Sequence, residues 1–328
     1  MNYCLLGLLI EKLSGQTLQN YFIKYIFQPA GMRHTYIENL ILTRTNSDRT
    51  VNYEYPALYD SALVKVDSIA NNHRMIYNLG GFYGQGGLTS TSEDLFRFDK
   101  AFFSGLLIGP AEMAEALTPV KLNNGKIAEA SSDADLGPSG YGFGWFVVND
   151  TTRGKIVWHP GGRPGISSVH LHNLRTDQTV VVLQNTPNPS TSSAICAYHV
   201  LNRQAFTPLR GSLIQAYART LVKEGPDAAM TRLNVMRSDT TYKMPDDYWW
   251  LILGWQLFEK DNYAGLSAET FKIGCLLFPN AWYMTQGYGA ALEKEGKKEL
   301  AILMYKKAIA QWPQADYAPG RLKVLEAR

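Results

Sequence analysis

Val157-Trp158-His159-Pro160-Gly161-Gly162-Arg163-Pro164-Gly165-Ile166-Ser167-Ser168-Val169 is the stretch on which the reading of this chain turns. A β-rich run, Lys155 to Trp158, enters it, and a second, Ser168 to Leu171, leaves it. Between them, glycines at 161, 162 and 165 admit close backbone approach and dihedral angles that a Cβ would forbid. The pattern predicts a glycine-rich turn between two strands. A histidine at its head can hold or share a proton near neutral pH. Taken alone, His-x-Gly is equally an ordinary hairpin whose histidine caps a strand, so the surrounding chain has to decide.

Working outward, Tyr141-Gly142-Phe143-Gly144-Trp145-Phe146-Val147-Val148 reads as a strand upstream, and Thr179 to Asn185 reads as one downstream. Strands joined by short connections predict an antiparallel sheet. A helix from about Thr191 to Leu201 would pack on it through Ile195, Cys196 and Val200. His170 and His172 alternate on one strand and therefore share a face. A metal site would need a third ligand, and none lies within sequence reach, so a polar sheet face is expected there.

Towards the N-terminus, Leu6, Leu9, Ile10 and Leu13 fall on one helical face, with Ser14-Gly15 as the stop. Thr17 can cap a second helix with Leu18, Phe22, Tyr25 and Ile26 inward, which Pro29 should end. Met32 then drops back onto the helix pair, and His34 reads as a surface or capping residue. Residues 40–80 are a long polar excursion carrying Tyr53, Tyr55 and Tyr59, of the kind that forms binding loops or lids. The glycine cluster at 80–87 lacks the Gly-Lys-Ser/Thr ending of a phosphate loop. Thr91 followed by Asp94 marks a helix start, with Leu95, Phe98, Ala101 and Phe102 facing a core.

Beyond Asn202 a linker around Pro208 gives way to helical patterns without strand signals. Pro279 and Pro313 stand one 34-residue period apart, the period of tetratricopeptide repeats. In that register Phe271 matches Tyr305, Phe278 matches Trp312, and Gly274 matches Ala308. Gly289, Ala301, Tyr305 and Ala308 stand where such repeats keep small and aromatic residues for helix packing. Residues 213–265 fit the period less well. The expected organisation is residues 1–202 as an α+β domain, 203–212 as a linker, and 213–328 as an all-α, tetratricopeptide-like region able to hold a protein partner.

Composition narrows the function. Of 328 residues, 45% are hydrophobic and 19% charged, which describes a globular chain. The net charge of +3 is spread without a basic block, arguing against a nucleic-acid partner. Three scattered cysteines signal neither a disulfide framework nor a zinc cluster, and nothing points to a cofactor or metal. No apolar run approaches the ~18 residues of a membrane span. The first residues lack the basic head of a signal peptide, so the compartment is left open.

Four segments together resemble the penicillin-recognising serine hydrolases: class C β-lactamases, D-alanyl-D-alanine peptidases and related esterases. They are NYCLLGLLIEKLSG, IFQPAGMRHT, GGLTSTSEDLFRFDKAFFSGLL, and YGFGWFV continuing to WHPGGRPGIS. Their order and spacing match the C-terminal two-thirds of that family over about residues 1–205. The resemblance implies a β-lactamase/transpeptidase-like fold and a serine acylated by an amide or ester carbonyl. It also implies proton transfer by the lysine of Ser-x-x-Lys and the tyrosine of Tyr-x-Asn. His159 and Gly161 match the family's Lys/His-x-Gly pocket strand, whose backbone N–H assists the oxyanion, with Gly162 and Ile166 as candidate substrate contacts. Pro160 stands where Thr or Ser is common, and removes a hydroxyl that would bind a substrate carboxylate.

The other motifs are missing. The sequence contains no Ser-x-x-Lys, Tyr-x-Asn or Gly-x-Ser-x-Gly, and Thr118-Pro119-Val120-Lys121 offers the first spacing only with a threonine in a proline-bearing loop. The expectation is a chain beginning at an internal methionine, lacking the nucleophile helix and the strands that complete the sheet, and inactive by itself. A sheet so deprived would keep an exposed edge and a bare apolar face. Two alternatives stand beside this one. The chain is a non-catalytic module binding protein through residues 213–328, or an enzyme using Ser167 or Ser168 beside His159. In the parent hydrolase the substrate is a small molecule or peptide, and the resemblance places that hydrolase in the periplasm or outside the cell.

Overall fold

The protein is described here by a computed structural model covering residues 2–37, 48–69, 84–133, 136–187, 190–206 and 208–327. Gly80 to Tyr83 of the glycine cluster lie outside these residues. The chain divides into two compact units, residues 1–54 with 64–209, and residues 55–63 with 210–328.

The first unit opens with α1 (Asn2–Ser14), of which Gly7 is buried while Leu5, Leu6, Leu8, Leu9 and Leu13 are exposed. Thr17 caps α2 (Leu18–Phe22) by accepting from Asn20 N at 3.2 Å. A π-helical turn, Ile23–Phe27, continues into α3 (Gln28–Ala30). The helical run ends at Ala30, one residue past Pro29 and close to where it was expected, and Gly31 at φ 71° closes the segment. Met32 is buried and Tyr25 is exposed rather than inward.

Three short elements follow: β1 (Tyr36–Ile37), β2 (Tyr53–Glu54) and β3 (Val64–Lys65). β2 pairs with β3, and β1 pairs antiparallel with β4 (Leu88–Thr89). Next, α4 (Ser92–Phe103) starts on Thr91, whose hydroxyl accepts from Asp94 N at 3.1 Å. The Asp94 carboxylate, fully buried, accepts from His34 N (2.6 Å) and Thr35 Oγ1 (2.9 Å). One side chain thereby rivets the IFQPAGMRHT segment to the TSEDL segment. Burial alone would raise its pKa, but the bonds from His34 and Thr35 outweigh that and lower it.

After α5 (Pro110–Ala116) comes a six-stranded antiparallel meander. Its strands are β5 (Glu129–Asp133), β6 (Gly137–Tyr141), β7 (Phe146–Asp150), β8 (Gly154–Arg163), β9 (Ile166–Asn173) and β10 (Gln178–Gln184), in the order β10-β9-β8-β7-β6-β5. The YGFGWFVV run is therefore two strands and not one. Gly144 at φ +79° turns the chain between β6 and β7, a conformation that favours glycine.

Alternation sends successive residues to opposite faces. Paired Val148 and Ile156 join Trp158, Leu171 and Val180 beneath Ala194, Ile195 and Tyr198 of α6 (Ser190–Leu201). Paired Val147 and Val157 join Trp145 against Phe102 of α4 and Leu117. Ile156 and Val157 are both 0% exposed, each such burial contributing about 1.5–3 kcal/mol. Val200 of α6 points outward, contrary to expectation.

The second unit carries a parallel pair, β11 (Gly211–Ser212) with β12 (Tyr242–Lys243). Its helices are α7 (Leu213–Glu224), α8 (Pro226–Met236), α9 (Asp247–Phe258), α10 (Ala264–Leu277), α11 (Trp282–Lys294), α12 (Lys298–Gln311) and α13 (Tyr317–Glu326). The region is helical as expected. Phe271 is fully buried where Gly254 and Gly287 leave room for its ring, since a Cβ at either would strike it. Gly289 does the same for Tyr305, whose ring would lie 2.8 Å from a Cβ there. Trp312 is exposed and stacks on Trp282 at 6.3 Å, unlike its part-buried counterpart Phe278. Part of the long excursion belongs to this unit: Leu58 lies in its core, and Leu58 N donates to Gln256 Oε1 at 2.9 Å.

Candidate active site

The glycine-rich stretch folds as strand almost to its tip. β8 runs through Arg163 and β9 resumes at Ile166, so the turn is Pro164-Gly165 alone and not the whole run of glycines and prolines. Gly165 holds φ +67°, and its N–H donates to Glu54 Oε2 at 2.9 Å. A Cβ there would strike Val66 and come within 3.0 Å of Tyr53 O, so the glycine is fixed by conformation and space together.

Opposite β8, the β7 ladder ends at Phe146 facing Trp158. Residues 159–162 are paired with β9, but among the described residues no strand flanks them on the other side. His159 sits at the head of this one-sided segment. Its Nδ1–H donates to the Pro160 carbonyl at 2.8 Å, and a carbonyl can only accept, so the proton is on Nδ1. Nε2 then carries a lone pair, which accepts from the Tyr141 hydroxyl at 3.1 Å. The ring is open to solvent along one side yet sits low among Tyr141 and Phe146, 6.0 and 5.6 Å away. That loss of water lowers its pKa, against the opposing pull of the Pro160 carbonyl. Tyr141 is pushed up, first by burial and then by its hydrogen bond with Tyr3 of α1. His159, Tyr141 and Tyr3 are thus linked by successive hydrogen bonds.

Gly161 faces Ser168 across the ladder, and a Cβ at 161 would strike the Ser168 hydroxyl. Gly162 pairs with Ser167 and Ile166 with Arg163, at the hairpin tip. Gly162 is three residues from His159, roughly 10 Å along a strand. The structure brings His159 and Gly161 onto one segment and puts Gly162 and Ile166 beyond them. Neither serine engages the histidine: both its ring nitrogens are bonded elsewhere, and Ser167 Oγ donates to Gln184 Oε1 at 3.0 Å. Thr118, singled out for its Thr-x-x-Lys spacing, gives its hydroxyl to Ala114 O at 2.6 Å.

His170 and His172 do not line a polar sheet face. Both turn towards Asp99 of α4, a fully buried carboxylate. His170 Nε2 lies 2.6 Å from Oδ1, while His172 Nδ1 (3.1 Å) and Thr179 Oγ1 (2.6 Å) share Oδ2. Burial would raise the Asp99 pKa, but the three donors overcome it and hold the carboxyl far below its usual range. His172 also stacks on Phe103 at 3.8 Å, and Trp145 meets His170 edge-on at 5.4 Å. Among the described residues no group of three or more His, Cys, Asp or Glu is placed to hold a metal ion. No helix among them is long and apolar enough to cross a membrane.

Sequence reasoning missed Tyr3, Tyr141 and Asp99 as site-forming residues. Tyr141 had a legible signal, an aromatic bounded by glycines just ahead of the histidine strand. Asp99 had none, because its partners lie more than 70 residues away.

An antiparallel sheet with helices against both faces and a His-x-Gly strand of this geometry defines the class. Residues 1–205 match the Beta-lactamase family, and the chain belongs to that family. Penicillin-binding protein 4* of Bacillus subtilis (strain 168) is 34% identical over 186 residues, covering 56% of this chain and 38% of the relative. The octameric penicillin-binding protein homologue from Pyrococcus abyssi shares the fold at TM-score 0.50 and 22% identity, over 68% of this chain and 45% of its own. The chain thus spans less than half the length of either protein.

Proposed function

We propose that this chain supplies one wall of an acyl-transfer pocket in a β-lactamase-related serine hydrolase, and that by itself it does not turn over. The carrying observation is the one-sided strand at 159–162, headed by a neutral His159 with its Nε2 bonded to Tyr141. An extended acyl donor, peptide or ester, could lie along that open edge and bond to its backbone. Gly161 and Gly162 would allow close approach, and Ile166 would bound the far end. Pro160 offers no hydroxyl to a substrate carboxylate, which favours esters or peptides over β-lactams.

Inactivity is supported by the lack of Ser-x-x-Lys in the sequence and by the engagement of Ser167 and Thr118 with other partners. Removing a nucleophile leaves only binding and oxyanion effects. On the same reading residues 1–202 form the hydrolase part, 203–212 a linker and 213–328 a tetratricopeptide-like region. Phe271 and Tyr305, one period apart and both fully buried, support that register. The parent hydrolase would act in the periplasm or outside the cell.

The test is intact-mass spectrometry of the purified chain after exposure to a fluorescent penicillin and to a fluorophosphonate, with p-nitrophenyl acetate hydrolysis alongside. No adduct and no hydrolysis above buffer are expected. A stable adduct on any serine or threonine of this chain, lost on its substitution by alanine, would overturn the inactivity.

A further inference from the structure

A second polar concavity lies wholly within the helical unit. Arg219, Thr220 and Lys223 of α7, Arg232 of α8 and Tyr242 of β12 line a hollow of about 410 Å³, in which Glu224 is the acid. That volume falls in the ~300–1,000 Å³ range of small-molecule sites. Among the described residues no ion pair engages any of the three cations, so they stand at net +2 once Glu224 is counted (three minus one). Arg219 and Lys223 are four apart on one helix, a spacing at which like charges repel.

Arg219 is also held in place before any ligand arrives. Its Nε donates to Asp60 O at 3.0 Å and its guanidinium lies over the Tyr55 ring at 5.1 Å. Its Nη2 is nevertheless buried with no protein partner. A buried donor left unbonded is costly. Thr220 gives its proton to Ala216 O at 3.0 Å and keeps lone pairs, whereas the guanidinium and ammonium groups have donors to spare.

We propose that this hollow binds a phosphorylated small molecule. A phosphate monoester carries about −1.5 to −2 at neutral pH, which the net +2 neutralises, and its oxygens suit guanidinium and ammonium donors. The remaining space, beside the Tyr242 ring, takes the organic part. A single carboxylate would leave the cations half neutralised. The site depends on no feature of the β8 strand, so it stands or falls independently of the proposed acyl-transfer pocket.

The experiment is calorimetric titration of the full chain with phenyl phosphate at low ionic strength, with benzoate as the monoanionic comparison. Saturable binding of phenyl phosphate is expected, with benzoate at least tenfold weaker. Lys223→Gln and Arg232→Gln, both at exposed positions, should each weaken it about tenfold. Lys323→Gln, an exposed cation on α13, should leave it unchanged. Absence of saturable binding, equal affinity for benzoate, or wild-type affinity in both Lys223→Gln and Arg232→Gln would overturn the proposal.

Discussion

Replacing Asp99 by asparagine tests whether one carboxylate holds α4 to the sheet. In the native protein it gathers His170, His172 and Thr179 onto two oxygens with no solvent contact. Each bond to a charged acceptor contributes about 1.5–3 kcal/mol net, but three bonds on one group do not add. Asparagine keeps one carbonyl oxygen and turns an NH₂ towards at least one of the former donors. Losing a buried charge partner outright costs about 3–5 kcal/mol, so we expect about 2–4 kcal/mol for Asp99→Asn. Hydrogen exchange of the full chain at pH 7, read over residues 92–103 and 166–184, would show roughly 30- to 1,000-fold faster exchange at the slowest amides. A change under threefold in both segments would refute the reasoning.

The pH dependence has a definite sign. Because the folded carboxyl is held down, its contribution is complete above the unfolded value near ~3.9 and is lost as pH falls through the lower native value. Wild type and variant should converge only in strong acid.

His159, monitored by NMR, should reach half-protonation below the ~6.5 of a free imidazole, because its surroundings exclude water. Its contribution then turns unfavourable to folding as pH drops below that value, and a midpoint at or above it would contradict the argument that burial outweighs the Pro160 bond. Gly165→Ala should cost about 1–3 kcal/mol, since the new Cβ meets Val66 at a positive φ. Faster exchange confined to residues 51–54, 64–66 and 163–167 would be its signature. Phe271→Ala should remove about 3–5 kcal/mol from the helical unit, read as an earlier urea transition in far-ultraviolet circular dichroism. Unchanged transitions would show that the ring is not the keystone its glycine neighbours suggest.

Legibility followed the range of the interaction. Thr91 and Thr17 cap helices through neighbours three residues on, and both were readable. The β-rich runs 155–158, 168–171 and 179–185 were readable as strand, and 191–201 as helix, but the extension of the first two strands to Arg163 and back to Ile166 was hidden by the glycines and prolines. Tyr141 to Val148 misled because β propensity runs through it while Gly144 turns the backbone, and propensity scores do not register a positive φ. Of the candidate site, His159 and Gly161 were singled out in the sequence through the family resemblance, their spacing alone being a weak signal. Tyr3 and the Asp99 cluster were not, because their partners lie far away in the chain and meet them only in the folded protein.

The extension of β8 through Arg163 matters for how a ligand would be received. Residues 159–163 have surrendered their conformational freedom in pairing with β9, as a loop would not have done before binding. Whatever docks on the open side meets a rail already laid, and forfeits little further entropy in straightening it. Selectivity at this edge should therefore be a matter of fit to a fixed track, with adaptation left to the visitor.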